Sequence, residues 1–271
     1  MPFFFIIMTD YKKDICEVLL NAEKPSEYFE YLRLREDFPE NFPELAALIG
    51  LEQNPKYHAV GDVWTHTMLV LNAAAGFRDK VQMVLPFMLS ALCHDFGKAV
   101  ASEKINGVIH SYEHEIKGLP LTENFLSRFN FEEDIIKYVL NMCRLHMKPN
   151  TIAVNNSSLK ASNRMFSEAL YPEDLIYLAA ADCLGQIPQG DAEKNTAFLK
   201  ERLNIYNSVM AEPFFGEAEL REAGITEKEV LKETMEYANK LRLSNVKSEA
   251  AFKQALSYGR KLIKKMEKSL H

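Results

Sequence analysis

The sequence is short of everything that would mark a secreted, membrane-spanning or nucleic-acid-coating protein. Its 271 residues hold four cysteines, Cys16, Cys93, Cys143 and Cys183, with no CxxC pair. All four sit in apolar helical runs, where a free thiol acts as a small hydrophobe, so a disulfide framework is not expected and a reducing cytoplasm fits. The opening MPFFFIIMTD is apolar for only seven residues and lacks a basic segment, so it reads as neither signal peptide nor span, and Met8 is a second candidate start beside Met1. No other stretch is expected to cross a membrane. Neither sign of charge dominates: 32 basic against 38 acidic residues leave −6, which argues against a dominant nucleic-acid surface while leaving room for a local basic stripe. Internal repeats and low-complexity segments are also missing.

What remains is a chain 47% hydrophobic, long enough to bury a sizeable core as one domain or as a domain with appendages. The central stretch is Leu89-Ser-Ala-Leu-Cys-His-Asp-Phe-Gly-Lys98. From Val81 to Leu92 the run VQMVLPFMLSAL has almost no hydrophilic side, which predicts a buried helix ending in His94-Asp95. An unpaired imidazole or carboxylate there costs several kcal/mol, roughly, and a metal ion between them removes that cost. Asp95, with two oxygens, could bridge two ions.

Other helices repeat the pattern. Asp62 reads as the N-cap of a helix running to Ala75, in which His66 shares a face with Leu69, Val70 and Ala73. His114, Gly118, Leu121 and Phe125 fall on one helical stripe, with His110 one turn earlier. Phe131–Met147 carries Ile135, Val139, Met142 and His146 on one face and ends at Lys148-Pro149-Asn150, followed by a polar loop over 151–163 and a short helix over 164–170. Pro172 opens a helix closed by Gly185, in which Asp182 continues the stripe of Leu175, Leu178 and Ala179. A histidine on an apolar face is more often a core residue than a ligand. Five helices presenting four imidazoles and two carboxylates this way, though, need a common partner, and a shared metal site outweighs five separate coincidences.

The order His66, His94-Asp95, Asp182 resembles the HD-domain superfamily of metal-dependent phosphohydrolases, and His114 and His146 match the additional histidines of members that bind two metals. The resemblance implies that His66, His94, Asp95 and Asp182 hold a first ion and that Asp95, His114 and His146 reach a second; imidazole and carboxylate ligands suit Fe, Mn, Ni, Co or Zn. A closer likeness is to the HD region of bacterial CCA-adding enzymes, carried by Pro25-Ser-Glu-Tyr-Phe, Asn54-Pro-Lys-Tyr-His, Gly61-Asp-Val-Trp-Thr-His66, Ala91-Leu-Cys-His-Asp-Phe-Gly-Lys98 and His110–Gly118. It covers roughly residues 25–187 and, less clearly, the tail over 215–251. The nucleotidyltransferase head of those enzymes, with its Gly-Ser turn and paired aspartates, has no counterpart here, so CCA addition is not implied.

The expected fold is all-α: an N-terminal helical segment (1–50), an HD domain (51–210) and a C-terminal helical segment (211–271). The expected function is hydrolysis of a phosphate ester, as a phosphodiesterase or phosphatase, on a nucleotide or nucleic-acid end. Lys98 is placed to neutralise phosphate charge, with Arg144, Arg164 and His58 as further substrate contacts, and His110 or His58 could protonate the leaving oxygen. The alternative is a non-catalytic RNA- or partner-binding module with a structural metal; the tail's basic end (Arg260, Lys261, Lys264, Lys265, Lys268) leaves RNA contact open. The oligomeric state is not legible.

Overall fold

Prolines and capping side chains set many of the helix boundaries. The computed structural model describes residues 10–54, 61–186 and 191–269; His58 lies outside the described residues. The chain starts with α1 (Tyr11–Asn21) and α2 (Ser26–Leu32), separated around Lys24-Pro25, then the one-turn helices α3 (Phe38–Asn41) and α4 (Pro43–Ala46). Next comes α5 (Val63–Ala75), whose N-cap Asp62 accepts from the Thr65 amide at 2.9 Å and the Gly50 amide at 2.7 Å. It leads to α6 (Val84–Cys93) and α7 (Lys98–Ala101).

A two-stranded antiparallel hairpin follows, β1 (Ser102–Ile105) with β2 (Val108–Ser111). This corrects the expectation that His110 sits one helical turn before His114. Asn106-Gly107 joins the paired Ile105 and Val108 with both φ positive (49° and 81°), the conformation that suits a two-residue hairpin loop and that Asn-Gly adopts readily.

Then come α8 (His114–Lys117), α9 (Leu119–Arg128), α10 (Glu133–Leu145), α11 (Met147–Val154), α12 (Leu159–Glu168) and α13 (Pro172–Leu184). The expected loop over 151–163 is thus partly helical. Pro149 falls in the first turn of α11, where its missing N–H has no helical partner to lose, so it is accommodated at a helix start. The tail comprises α14 (Ala192–Ala211), α15 (Glu217–Glu222), α16 (Lys228–Leu243) and α17 (Ser248–Ser269), with Gly224 at φ +96° between α15 and α16. The fold is all-α apart from the hairpin.

Backbone contacts group the chain into two compact units, residues 1–154 with 169–198, and residues 155–168 with 199–271. The three-part division expected from sequence follows pattern changes along the chain, whereas these units follow packing. In the first unit Pro86 through Cys93 of α6 are all buried, enclosed by α1, α5, α10 and α13. Each fully buried Leu, Phe or Met there contributes about 1.5–3 kcal/mol, which places this helix at the centre. Val84–Ala101 also meets the length and hydropathy of a membrane span, against the expectation that no stretch would, yet 78% of that window is buried inside the protein. In the second unit α16 packs on α17 around Leu220, Ile225, Val230, Leu231, Ala238, Ala251 and Ala255. The four cysteines are free thiols; Cys93, Cys143 and Cys183 are buried.

Candidate metal centre

The helices deliver their histidines and aspartates to one end of α6. His94 caps α6, His66 projects from the second turn of α5, Asp182 from the last turn of α13, His146 ends α10, and His114 opens α8. All are buried, with relative exposures from 1% for His66, Asp95 and His146 to 7% for Asp182.

Two glycines make the approach possible. A Cβ on Gly97 would lie 1.9 Å from the His114 carbonyl oxygen, so only glycine lets the turn after Asp95 pack against α8. A Cβ on Gly185 would lie 3.0 Å from the Val70 amide and closer still to its side chain; its absence seats the end of α13 against α5, beside His66.

Each of the four imidazoles is oriented the same way. Nδ1 of His66, His94, His114 and His146 faces the carbonyl oxygen of Gly185 (3.1 Å), Ala91 (2.9 Å), Ser111 (2.9 Å) and Cys143 (2.6 Å) respectively. A carbonyl only accepts, so Nδ1 carries the proton and donates it, and a neutral ring then turns the Nε2 lone pair inward. Those nitrogens meet in pairs: His66 Nε2 lies 3.4 Å from His94 Nε2, and His114 Nε2 lies 3.2 Å from His146 Nε2. Two lone pairs at that separation repel unless a cation or a proton lies between them.

Asp95 stands between the pairs with one oxygen toward each. Its Oδ2 is 3.2 Å from His94 Nε2 and 3.5 Å from His66 Nε2, and its Oδ1 is 3.2 Å from His114 Nε2 and 3.9 Å from His146 Nε2. Asp182 Oδ1 is 3.1 Å from His66 Nε2. Two sets of potential metal donors result, His66 with His94 and Asp182, and Asp95 with His114 and His146. Donors each ~2.1 Å from a common ion at 90–109° lie roughly 3.0–3.4 Å apart, close to the shortest spacings within each set. Lys98 Nζ is 2.7 Å from Asp95 Oδ2 but outside hydrogen-bond geometry, and that oxygen, fully buried, accepts no hydrogen bond. A carboxylate oxygen that accepts no hydrogen bond, set among inward lone pairs with only the Lys98 ammonium beside it, fits a bound cation.

The electrostatics keep both carboxylates ionised. Burial opposes ionisation of Asp95, but Lys98, then His94 and His114, hold its pKa well below the usual carboxylate range. Asp182 is likewise lowered against its burial, by the neighbouring His66 first and then by His94. Burial and the neighbouring histidines push His146 down to about 3, so it stays neutral. His94 is raised: burial works against its charge, and the Asp95 and Asp182 carboxylates outweigh it.

The donors face a cleft of about 470 Å³. Asp95, His114, His146 and Asp182 line it, together with Lys98, which also donates to Gln53 Oε1 at 2.8 Å. His110 lines it from β2. Arg144, half-buried on α10, and Arg164, exposed on α12 of the other unit and paired with Glu168 at 3.2 Å, are not among the lining residues. Sequence reasoning passed over Gln53, Asn150 and Tyr112, which do line the cleft. Of these only Tyr112 had a readable signal, its position two residues from His110 at the end of a hairpin strand.

Comparison with known proteins reaches the same region. The HD domain family model matches residues 63–187. The chain is 34% identical over 131 residues to the Multifunctional CCA protein of Pasteurella multocida, covering 48% of this chain and 31% of that relative. It is 32% identical over 127 residues to the Multifunctional CCA protein of Cupriavidus metallidurans, covering 47% and 29%. A 29% identity over 125 residues links it to that of Actinobacillus pleuropneumoniae, covering 46% and 30%. The matched part spans less than a third of each relative's length. HD domains bind divalent metals and belong to a superfamily of metal-dependent phosphohydrolases. Residues 63–187, which contain all six donors, thus form an HD domain homologous to the HD region of multifunctional CCA proteins.

Proposed function

We propose that this protein hydrolyses a phosphate ester of a nucleotide or nucleic-acid end, using two divalent ions held at the two donor sets. The observation that carries the reading is the meeting of four Nε2 lone pairs around Asp95, whose two oxygens each face one pair. His66, His94, Asp182 and one Asp95 oxygen would hold the first ion, and His114, His146 and the other Asp95 oxygen the second. When bound, such ions supply an activated water near neutral pH and neutralise phosphate charge.

The chain's own residues do the rest. Six buried donors keep the site rigid, so no reorganisation is needed when a phosphate arrives. Lys98, in the cleft beside Asp95, is positioned to attract and orient a phosphate oxygen. His110 on the cleft wall is a candidate to protonate the leaving oxygen. No covalent nucleophile is required.

The rival reading, a structural metal in a binding module, is less well supported, because structural sites enclose their ion in protein ligands and four of these donors open onto a cleft. The exposed Arg260, Lys261, Lys264 and Lys265 of α17 keep RNA contact open. The reducing, cytoplasmic setting is part of the same proposal, in keeping with the free thiols.

The test is elemental analysis of purified protein followed by a panel of 2′,3′-cyclic nucleotides and nucleoside monophosphates with Mn, Co, Ni, Fe or Zn restored. We expect hydrolysis that chelation abolishes and no nucleotide addition to tRNA. A metal-bearing protein inactive across the panel would favour the binding module.

A further inference from the structure

The end of the hairpin carries a side chain to which the phosphate chemistry gives no role, Tyr112. His110 and Tyr112 stack with ring centroids 5.0 Å apart and planes 13° from parallel, and both line the cleft that contains Asp95 and Lys98. Tyr112 is 57% exposed, so a large aromatic face stands open inside a concavity. An aromatic left uncovered there forgoes the burial that residues of its type normally gain.

The pair is held in place. Strand pairing sets His110 opposite Glu103 and Ser111 opposite Ser102, whose hydroxyls lie 2.7 Å apart. Asn54 Nδ2 donates to the Ile109 carbonyl at 3.3 Å. Ser111, between the two rings, accepts through its carbonyl the Nδ1 proton of His114 at 2.9 Å. The aromatic wall is therefore one residue removed from a hydrogen bond to a metal-donor histidine, and its position relative to the donor sets is fixed by the backbone. A prepositioned ring loses little conformational freedom when a planar group lands on it.

We propose that Tyr112, braced by His110, is a stacking platform for the base of the substrate, so that the cleft selects a nucleobase-bearing phosphoester over a sugar phosphate. This rests on the reading that the cleft takes a nucleotide phosphate, and it adds where the base lies. Stacking tolerates any base, since every base has a π-face, so the preference is for a nucleobase as such.

The experiment is calorimetric titration of the purified protein with adenosine 5′-monophosphate and with ribose 5-phosphate, repeated on Tyr112→Ala and Tyr112→Phe. The wild type and Tyr112→Phe should bind the nucleotide about tenfold more tightly than the sugar phosphate, as loss of one stacked base typically costs. Tyr112→Ala should bind the two alike, with sugar phosphate affinity unchanged. A wild type without preference for the nucleotide, a preference that survives Tyr112→Ala, or an equal loss for both ligands would overturn the proposal. Failure of the hydrolase reading is separate: a base preference in a protein that hydrolyses nothing keeps the platform and discards the enzyme, whereas hydrolysis with no base preference does the reverse.

Discussion

Helices α6, α10 and α13 meet buried carboxylates at both ends, Asp174 at one and Asp95 with Asp182 at the other, and the two ends are built on opposite principles. At one end Asp174, in the first turn of α13 and fully buried, accepts from the amides of Gln82 (3.0 Å) and Met83 (3.4 Å) and from the Tyr138 hydroxyl of α10 (2.7 Å). It supplies a negative charge and acceptors to the otherwise bare start of α6, where orphan amides need them. Its acceptors are satisfied by protein, and the arrangement pushes the Tyr138 hydroxyl well up, through burial and the hydrogen bond to Asp174. At the other end, Asp95 and Asp182 sit among acceptor lone pairs, and one Asp95 oxygen accepts no hydrogen bond and has only the Lys98 ammonium beside it. Burial alone therefore does not mark a functional carboxylate. What distinguishes the two ends is whether the protein itself completes the hydrogen bonding, because an incomplete buried network is tolerated where something else is meant to complete it.

Substitutions at the two ends should part cleanly. The largest effect expected is loss of metal and at least a hundredfold loss of hydrolysis in His94→Ala or Asp95→Ala, since even the outer partners of metal ligands cost about 10–100-fold. Elemental analysis and substrate turnover check it, and metal content and activity surviving either change would erase the contrast between the ends. Next, His114→Ala or His146→Ala should lower metal stoichiometry by about one while the first ion stays, with activity falling strongly as half of a two-metal clamp is removed. Unchanged stoichiometry would leave a single-ion site.

Asp174→Ala should act in the other currency. Stranding two amides and a hydroxyl in the interior should cost about 3 kcal/mol of folding stability by denaturant unfolding, with metal content per folded molecule unchanged. If this variant instead loses metal at wild-type stability, the assignment of a structural role fails.

The smallest effect is in the pH dependence of the metal-free protein. His146 has a folded pKa pushed down to about 3, against about 6.5 in the unfolded chain. The unfolded state takes the proton first, so stability falls as pH drops below about 6.5, by about 1 kcal/mol per pH unit. His94 has the opposite sign: its raised pKa gives a contribution present at low pH and lost as pH rises through the folded value. The lowered Asp95 and Asp182 add to the acid loss only below the unfolded carboxylate range, about 3.9. Melting under chelator from pH 7 to 5 should show the acid limb, and His146→Asn should flatten it; an unflattened limb would assign it to another group.

Much of this was visible along the chain. A helix with no polar side had to lie at the centre, and histidines and aspartates on apolar stripes had to share a partner, because hydrophobic periodicity and the cost of unpaired polar burial act through local sequence alone. Asp62 and Gly185 marked helix ends through side-chain and backbone preferences that are equally local, and Asn106-Gly107 would have announced the hairpin had its turn chemistry been weighed. Three things needed the tertiary structure. The geometry that divides the donors between two sets, which the family resemblance implied but no local pattern could derive, depends on how the helices close around α6, and His94 and Asp95, adjacent in sequence, fall into different sets. The contrast between Asp174 and Asp95 also escaped, since both are acidic residues on buried helices and differ only in neighbours 36 to 92 residues away for Asp174, and in their mismatch for Asp95. The aromatic wall is the third: whether a tyrosine faces solvent or a cleft is settled by the concavity that distant segments build around it, which no periodicity along the chain records.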